Sequence, residues 1–218
     1  MSNQNLEQLI KNAEMADSAK KLWLEVKEIS QLENPLAIPF LIKALSYNNP
    51  GAAVAAVDGL IKLGEMVVEP LLKDLDWYNY TARAWGIRVF AGIGDPRGLE
   101  LLNEAASSDF SLSVRRAAAR GLGKINWSKL PVSKVPSSQK QTLDTLLLAS
   151  EDIEWVVRYS VVVGLQLLGT ALKETQTDWF MIVEEKLQKI LDNDQEIAVK
   201  ARAKLALEKL TKLENTNK

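Results

Sequence analysis

Cysteine and histidine are both missing from the 218 residues, and the two absences exclude much. Without cysteine there is no disulfide, no thiolate nucleophile and no Cys/His zinc site. Without histidine neither a Ser-His-Asp nor a Cys-His mechanism can be assembled within the chain. The His–Glu pairs of helical-repeat di-iron hydroxylases are excluded with it, and no metal site is expected. Glycine signatures for phosphate are also missing: there is no GxGxxG after a strand and no GxxxxGKS or GxxxxGKT loop. The formal net charge is only −1, so no bulk field would gather nucleic acid or an anionic membrane. The opening MSNQNLEQLIKNAEMADSAKK has no apolar run of signal-peptide kind. No stretch reads as the roughly 18 apolar residues of a membrane span. The expectation is a soluble, cytoplasmic protein whose chemistry draws on carboxylates, tyrosine, arginine, lysine or a partner's groups.

Alternation of β-branched residues is scarce, and helical periodicity is nearly continuous. Apolar residues make up 47 % of the chain, enough for the core of one domain or a short solenoid. Leu22–Leu32 and Leu36–Tyr47 read as the first helices, stopped by Asn34-Pro35 and by Asn48-Asn49-Pro50. A repeat follows. Five helices align on Leu60, Phe90, Leu122, Leu165 and Leu207, with Ala53, Arg83, Arg115, Arg158 and Lys200 seven residues earlier. The intervals of 30, 32, 43 and 42 residues imply stacked helix pairs. The intervening helices are Val67–Leu75, Leu99–Ser107, Gln139–Ala149 and Trp179–Leu191. The fold expected is all-α: a right-handed solenoid of about five helix pairs forming one domain over residues 1–218. Ser128–Ser138 (SKLPVSKVPSS) reads as an inserted exposed loop, and the tail after Leu210 (TKLENTNK) is expected to fray.

The stretch from Asp76 to Trp127 stands apart. It holds six of the eight arginines, three of the six tryptophans and a single lysine, Lys124. Arginine offers a planar fork for carboxylates or phosphates and stacks on flat rings. In the second helix of each repeat, an advance of about 100° per residue puts Val114, Ala118, Gly121 and Ile125 on one buried stripe. Arg115 falls on the flank, while Arg116 and Arg120 point away from the core. Carried through the repeat, Arg120 corresponds to Arg88 and Asp58, Leu112 to Tyr80 and Trp155, and Arg116 to Tyr159. These residues are expected on one inner surface, with Ala84, Ala91 and Gly123 leaving room. Arginines beside aromatics make a cradle for a flat, anionic, partly apolar ligand. The blander reading is a surface Asp58–Arg88 ion pair and a protein-binding groove. Trp85 reads as packed between helices, and Trp23 and Trp179 as core or interface residues.

Aspartates stand six residues before Arg115, Arg158 and Lys200, at Asp109, Asp152 and Asp194. This is the HEAT-like pattern, in which such pairs stitch neighbouring repeats together. The second repeat departs from it, with Trp77 in the aspartate's place and Asp76 one residue earlier. The run DFSLSVRRAAARGLGKINW, preceded by GIGDPRGLELL and DWYNYTARAWGIR, resembles the HEAT-like phycobilin lyases. The resemblance covers about Leu36 to Leu210, and it lies nearest the smaller, F-type subunit of the heterodimeric E/F phycocyanobilin lyases. It implies attachment of a linear tetrapyrrole, phycocyanobilin, through a thioether to a cysteine of the phycocyanin α subunit. The partner implied is a larger E-type subunit, and the bilin is a transient substrate with no permanent cofactor. In that chemistry Arg88, Arg116 and Arg120 would clamp the propionates, and Tyr80, Trp155 and Tyr159 would stack on the rings. Asp58 or Asp76 is the candidate proton donor. The alternatives are a non-catalytic HEAT-like protein that binds phycobiliproteins for assembly or degradation, and a plain protein scaffold.

Overall fold

The computed structural model describes residues 3–216, with side chains from residue 4 to 212. Among the described residues there is helix and turn but no strand. The backbone groups into two compact units, Met1–Ile93 and Gly94–Lys218, where the sequence pattern suggested one continuous domain.

The first unit holds α1 (Asn3–Glu14), α2 (Ala19–Gln31), α3 (Ile38–Ala44), α4 (Pro50–Leu63), α5 (Val68–Asp74) and α6 (Tyr80–Ile93). Helix α1 was not foreseen. Its apolar anchors Leu6, Leu9 and Ala13 are buried against α2, but they stand in an Asn/Gln-rich stretch that hides the period. Asn49 makes the start of α4: its Oδ1 accepts from the Ala52 amide at 3.1 Å, and its Nδ2 donates to the Ala19 carbonyl at 2.8 Å. One buried side chain thus caps α4 and ties it to the start of α2, with Pro50 in the first turn where its missing N–H costs nothing. Ser30 and Gly59 bring α2 and α4 together. A Cβ on Gly59 would lie 2.7 Å from that of Ser30, whose Oγ donates to the Ala55 carbonyl at 2.7 Å. Trp77, the residue that breaks the aspartate register, stacks on the fully buried Phe90 at 6.3 Å between centroids. Its indole N–H bonds the Leu72 carbonyl at 3.2 Å.

The second unit holds α7 (Leu99–Ser108), α8 (Leu112–Leu122), α9 (Val135–Ala149), α10 (Trp155–Leu172), α11 (Thr177–Asn193) and α12 (Ile197–Thr216). Helices α8, α10 and α12 pack side by side in one layer, and α7, α9 and α11 form the layer that covers them. Of the five aligned apolar residues, Leu60, Phe90, Leu122 and Leu165 are fully buried, while Leu207 is half-buried. The Ser128–Ser138 segment is more ordered than its composition suggested. It forms 3-10 turns at Trp127–Lys129 and Val132–Lys134, and α9 begins at Val135, before Gln139. Pro136 sits in the first turn of α9, where proline starts a helix and does not break one. Helix α12 continues past Leu210 to Thr216 and does not fray there; residues 217–218 lie outside the described residues.

Helix α10 corrects another expectation. With 18 residues and a mean hydropathy of 1.4 it is long and apolar enough to cross a membrane. Its apolar side chains have another use: Val157, Val161, Leu165, Leu168 and Leu172 are fully buried in a helix packed between α8 and α12.

Two arginines stitch the second unit. Arg115 Nε and Nη2 donate to the two carboxylate oxygens of Asp152 at 2.6 and 3.0 Å. Its Nη1 donates to the carbonyls of Asp109 and Phe110 at 2.8 and 3.2 Å. One repeat on, Arg158 grips Asp194 at 2.8 and 3.0 Å and the carbonyls of Asp152 and Ile153 at 2.8 and 3.2 Å. Each arginine therefore reads the aspartate of the next repeat by its carboxylate and that of its own repeat by its backbone. Lys200 reaches the Asp192 carbonyl at 2.7 Å, since the carboxylate of Asp194 is already taken.

Candidate functional site

The residues singled out by the repeat register divide between the units. Asp58, Asp76, Tyr80 and Arg88 belong to the first, and Arg116, Arg120, Trp155 and Tyr159 to the second.

In the first unit Asp58 is exposed on α4 and lines a groove of about 810 Å³ between α2 and α4. Trp23, Lys27, Val54 and Lys62 line it too, and the Lys27 ammonium lies 5.3 Å from the Trp23 ring centre. Trp23 is thus half-buried at a groove and is not a core residue. Asp58 makes no ion pair with Arg88 or with any other described residue. Arg88 instead lays its guanidinium over Trp85, 4.1 Å from the ring centre. Trp85 is therefore a stacking platform on the same helix. Tyr80, 40 % exposed, opens α6 with the Arg83 guanidinium 5.7 Å from its ring. Asp76 is exposed but engaged. Its Oδ1 accepts from the Tyr78 and Asn79 amides at 3.1 and 3.2 Å, and Asn79 in turn caps the amide of Ala82 at 3.1 Å. This is the turn chemistry short acidic and amide side chains favour, and it launches α6.

In the second unit the register puts each residue where expected on its own helix. Arg116 and Arg120 are exposed one turn apart on α8. Trp155 and Tyr159, 43 % and 38 % exposed, stand one turn apart on α10, which packs directly on α8. Neither Arg116 nor Arg120 has a carboxylate partner among the described residues. Gly123 does not leave room for a ligand. A Cβ there would lie 2.6 Å from the Gly164 carbonyl oxygen, so the space is taken by the backbone of α10. Ala91, 8 % exposed, is core in the same way.

Sequence reasoning missed one arginine. Arg202 on α12 is 9 % exposed and donates through Nη2 to Gln166 Oε1 at 2.7 Å. Its Nη1 is shielded and bonds nothing among the described residues. Burial holds its pKa below the ordinary arginine range, with Tyr159 opposing and the charge of Arg120 adding to the shift. Lys124, one turn beyond Arg120, is lowered by burial and by the same Arg120 charge. Arg120 thus bears on both Lys124 and Arg202, across α10, which packs between α8 and α12, and none of the three cations holds an ion pair among the described residues. The signal was present: Arg202 occupies the register position of Trp85, Ala117 and Ser160, the position at which Trp85 reads as packed between helices.

The profile of HEAT repeats matches residues 68–166, which agrees with the helix pairs and puts the fold in the α-solenoid class. The chain is 50 % identical over 206 residues to the phycocyanobilin lyase subunit beta of Pseudanabaena tenuis, covering 94 % of this chain and 73 % of that one. It is 48 % identical over 205 residues to the phycocyanin alpha phycocyanobilin lyase CpcF of a Synechocystis strain, covering 94 % of both. A solved chain from the complex of CpcE and CpcF of phycocyanin lyase from Nostoc superimposes with a TM-score of 0.71 at 46 % identity, over 79 % of this chain and 99 % of that one. On that identity, sustained across nearly the whole chain, the protein belongs to the HEAT-repeat family of phycocyanobilin lyase beta subunits.

Proposed function

We propose that this chain is the beta-type subunit of a heterodimeric lyase that attaches phycocyanobilin to a cysteine of the phycocyanin α subunit. The observation that carries the reading is near-full-length identity of 48 % to a protein named for that reaction. The reaction is an addition. The acceptor thiol adds across the A-ring ethylidene: sulfur bonds the exocyclic carbon, the ring carbon takes a proton, and nothing is oxidised or reduced. The nucleophile belongs to the acceptor, which agrees with a chain lacking cysteine. A free thiol has a pKa of about 8.5, and neighbouring cations favour its thiolate.

In this reading the chain binds and orients. Arg116 and Arg120 pair with propionates, and Trp155 and Tyr159 carry the rings by stacking. Arg88, flattened on Trp85, and Tyr80 do the same in the first unit. Asp58, with no ion pair, is the readier proton donor, since Asp76 is held in its turn. Fixing bilin and thiol in line replaces a slow bimolecular encounter and suppresses wrong adducts. The bilin is a passing substrate and no permanent cofactor is needed. The reaction partner is the phycocyanin α subunit, and the site of action is the cytoplasm. The larger E-type subunit completes the enzyme.

Reconstitution tests the reading. The purified chain, an E-type subunit, phycocyanobilin and apo-phycocyanin α should yield an acceptor carrying covalent bilin, scored by mass and by absorbance after denaturation. Bilin binding without a covalent adduct would instead mark a non-catalytic carrier, and neither outcome would leave only a scaffold.

A further inference from the structure

A buried guanidinium that lacks an acid is a costly thing for a fold to keep. Arginine does not shed its proton inside proteins, so Arg202 carries full charge at 9 % exposure. One neutral acceptor, Gln166 Oε1, meets Nη2 at 2.7 Å, and Nη1 is unmatched. The other arginines with comparable shielding are treated differently: Arg115 and Arg158, with side chains 14 % and 15 % exposed, each grip a carboxylate in bidentate fashion. Arg202 instead has cationic and aromatic neighbours. Arg120 and Tyr159 both act on it electrostatically, and both are exposed. Arg120 also bears on Lys124. Like charges so placed repel, and an unpaired buried charge destabilises the fold that keeps it. A carboxylate arriving from outside would relieve both penalties at once. Lowered dielectric would make the attraction stronger than at a surface arginine.

We propose that Arg202, with Arg120 and Tyr159 at its rim, forms an inner carboxylate site in the second unit that takes a propionate of the linear tetrapyrrole. The inference rests on the lyase reading and adds the residue that anchors the substrate. Arg120 meets the propionate at the surface. Arg202 supplies the desolvated charge behind it, its Nη1 being the donor left without an acceptor among the described residues. An acidic side chain of a partner protein is the competing occupant. The bilin is favoured because an exposed aromatic stands beside the cations, and a flat ring system bearing an acid uses both.

The test compares phycocyanobilin with its dimethyl ester, which has the same rings but no propionate charge. Both are titrated against the assembled heterodimer. Wild type should bind the diacid roughly 10- to 100-fold more tightly than the diester, the range for hydrogen bonds to a charged group. Arg202→Met should lose most of that preference and bind the diester as wild type does, with an unchanged or higher melting midpoint. Arg202→Lys, which keeps the charge without the fork, should fall between and serves should the methionine variant lose helix. A preference for the diacid that survives intact in a folded Arg202 variant overturns the proposal while leaving the lyase reading in place. Weakened association of the two subunits with that preference intact also overturns it, assigning the carboxylate to the partner. A wild-type heterodimer that binds neither compound sinks the lyase reading together with this one.

Discussion

Two neighbouring arginines on α8 have opposite employment. Arg115 is 14 % exposed at its side chain and holds Asp152; Arg120, five residues on, is exposed and has no acid partner among the described residues. Arg115→Ala should therefore cost roughly 3–5 kcal/mol of stability, since it strands a buried carboxylate, and this is read in urea unfolding. Arg120→Ala should leave the unfolding midpoint alone and weaken bilin binding by roughly 1.5–3 kcal/mol, read by titration. Equal binding losses that track lost helix in both would mean the two faces have been confused. Residue type and helical angle were sufficient to separate this pair in the sequence. They were not sufficient for Arg202, which sits in the lysine-rich run VKARAKLALEK and reads there as solvated. Its burial comes from α10 packing against α12, which the repeat register signals and the local composition hides. The engagement of Asp76 is hidden in the sequence too, because it depends on two backbone amides that only the turn brings to it.

Helix-to-helix approach sets the next scale. In the α8–α10 contact, a Cβ on Gly164 would press into the Ala119 carbonyl, an obstacle of backbone that cannot rotate away. Gly164→Ala should destabilise by about 1–3 kcal/mol through overpacking, despite alanine's better helix propensity; an unchanged or raised thermal midpoint would show that the two helices can part freely. The arginine ladder between repeats gives a pH prediction. At Asp194 the hydrogen bonds from Arg158 hold the carboxyl below its ordinary range. At Asp152 burial is the largest single influence and pushes up, but Arg115, the Glu154 amide and the charge of Arg158 together outweigh it. A depressed folded-state value means the stabilisation is complete above the unfolded value of about 4 and is lost as pH falls through the lower folded one. With no histidine, the ladder adds no slope between pH 5 and 8. Asp152→Asn and Asp194→Asn should each flatten the acid limb, measured as urea midpoints from pH 2 to 7. A limb as steep as wild type would remove the ladder from the account. The ladder and the second helices were readable in advance because they rest on fixed spacings. The first helix and the start of α9 were not, because Asn/Gln and Ser/Pro enrichment imitates a loop when caps and neighbours are unknown.

At the scale of the whole molecule the question is how labour divides between this chain and its partner. Each unit leaves large apolar side chains in water: Leu36, Val54 and Met66 in the first, Phe110, Ile153 and Ile197 in the second, the last two at 89 % and 82 % exposure. A solved relative is a complex, and burial against a partner would take such side chains out of water. An E-type subunit should therefore co-elute with this chain in size exclusion and raise its thermal midpoint. Saturation at 100 times Kd corresponds to about 2.7 kcal/mol of added stability. The proton donor then becomes a question about two chains. Asp58→Asn preserves shape and leaves the groove beside Trp23 and Lys27 in place, so bilin binding should persist. If Asp58 protonates the ring carbon, single-turnover transfer with the partner present should fall by roughly 10²–10⁴-fold. Asp76→Asn retains the Oδ1 acceptor that its turn requires, so the fold survives and only a chemical role would be exposed. Near-normal rates in both variants would place the acid on the larger subunit, leaving this chain to hold the propionates and present the rings.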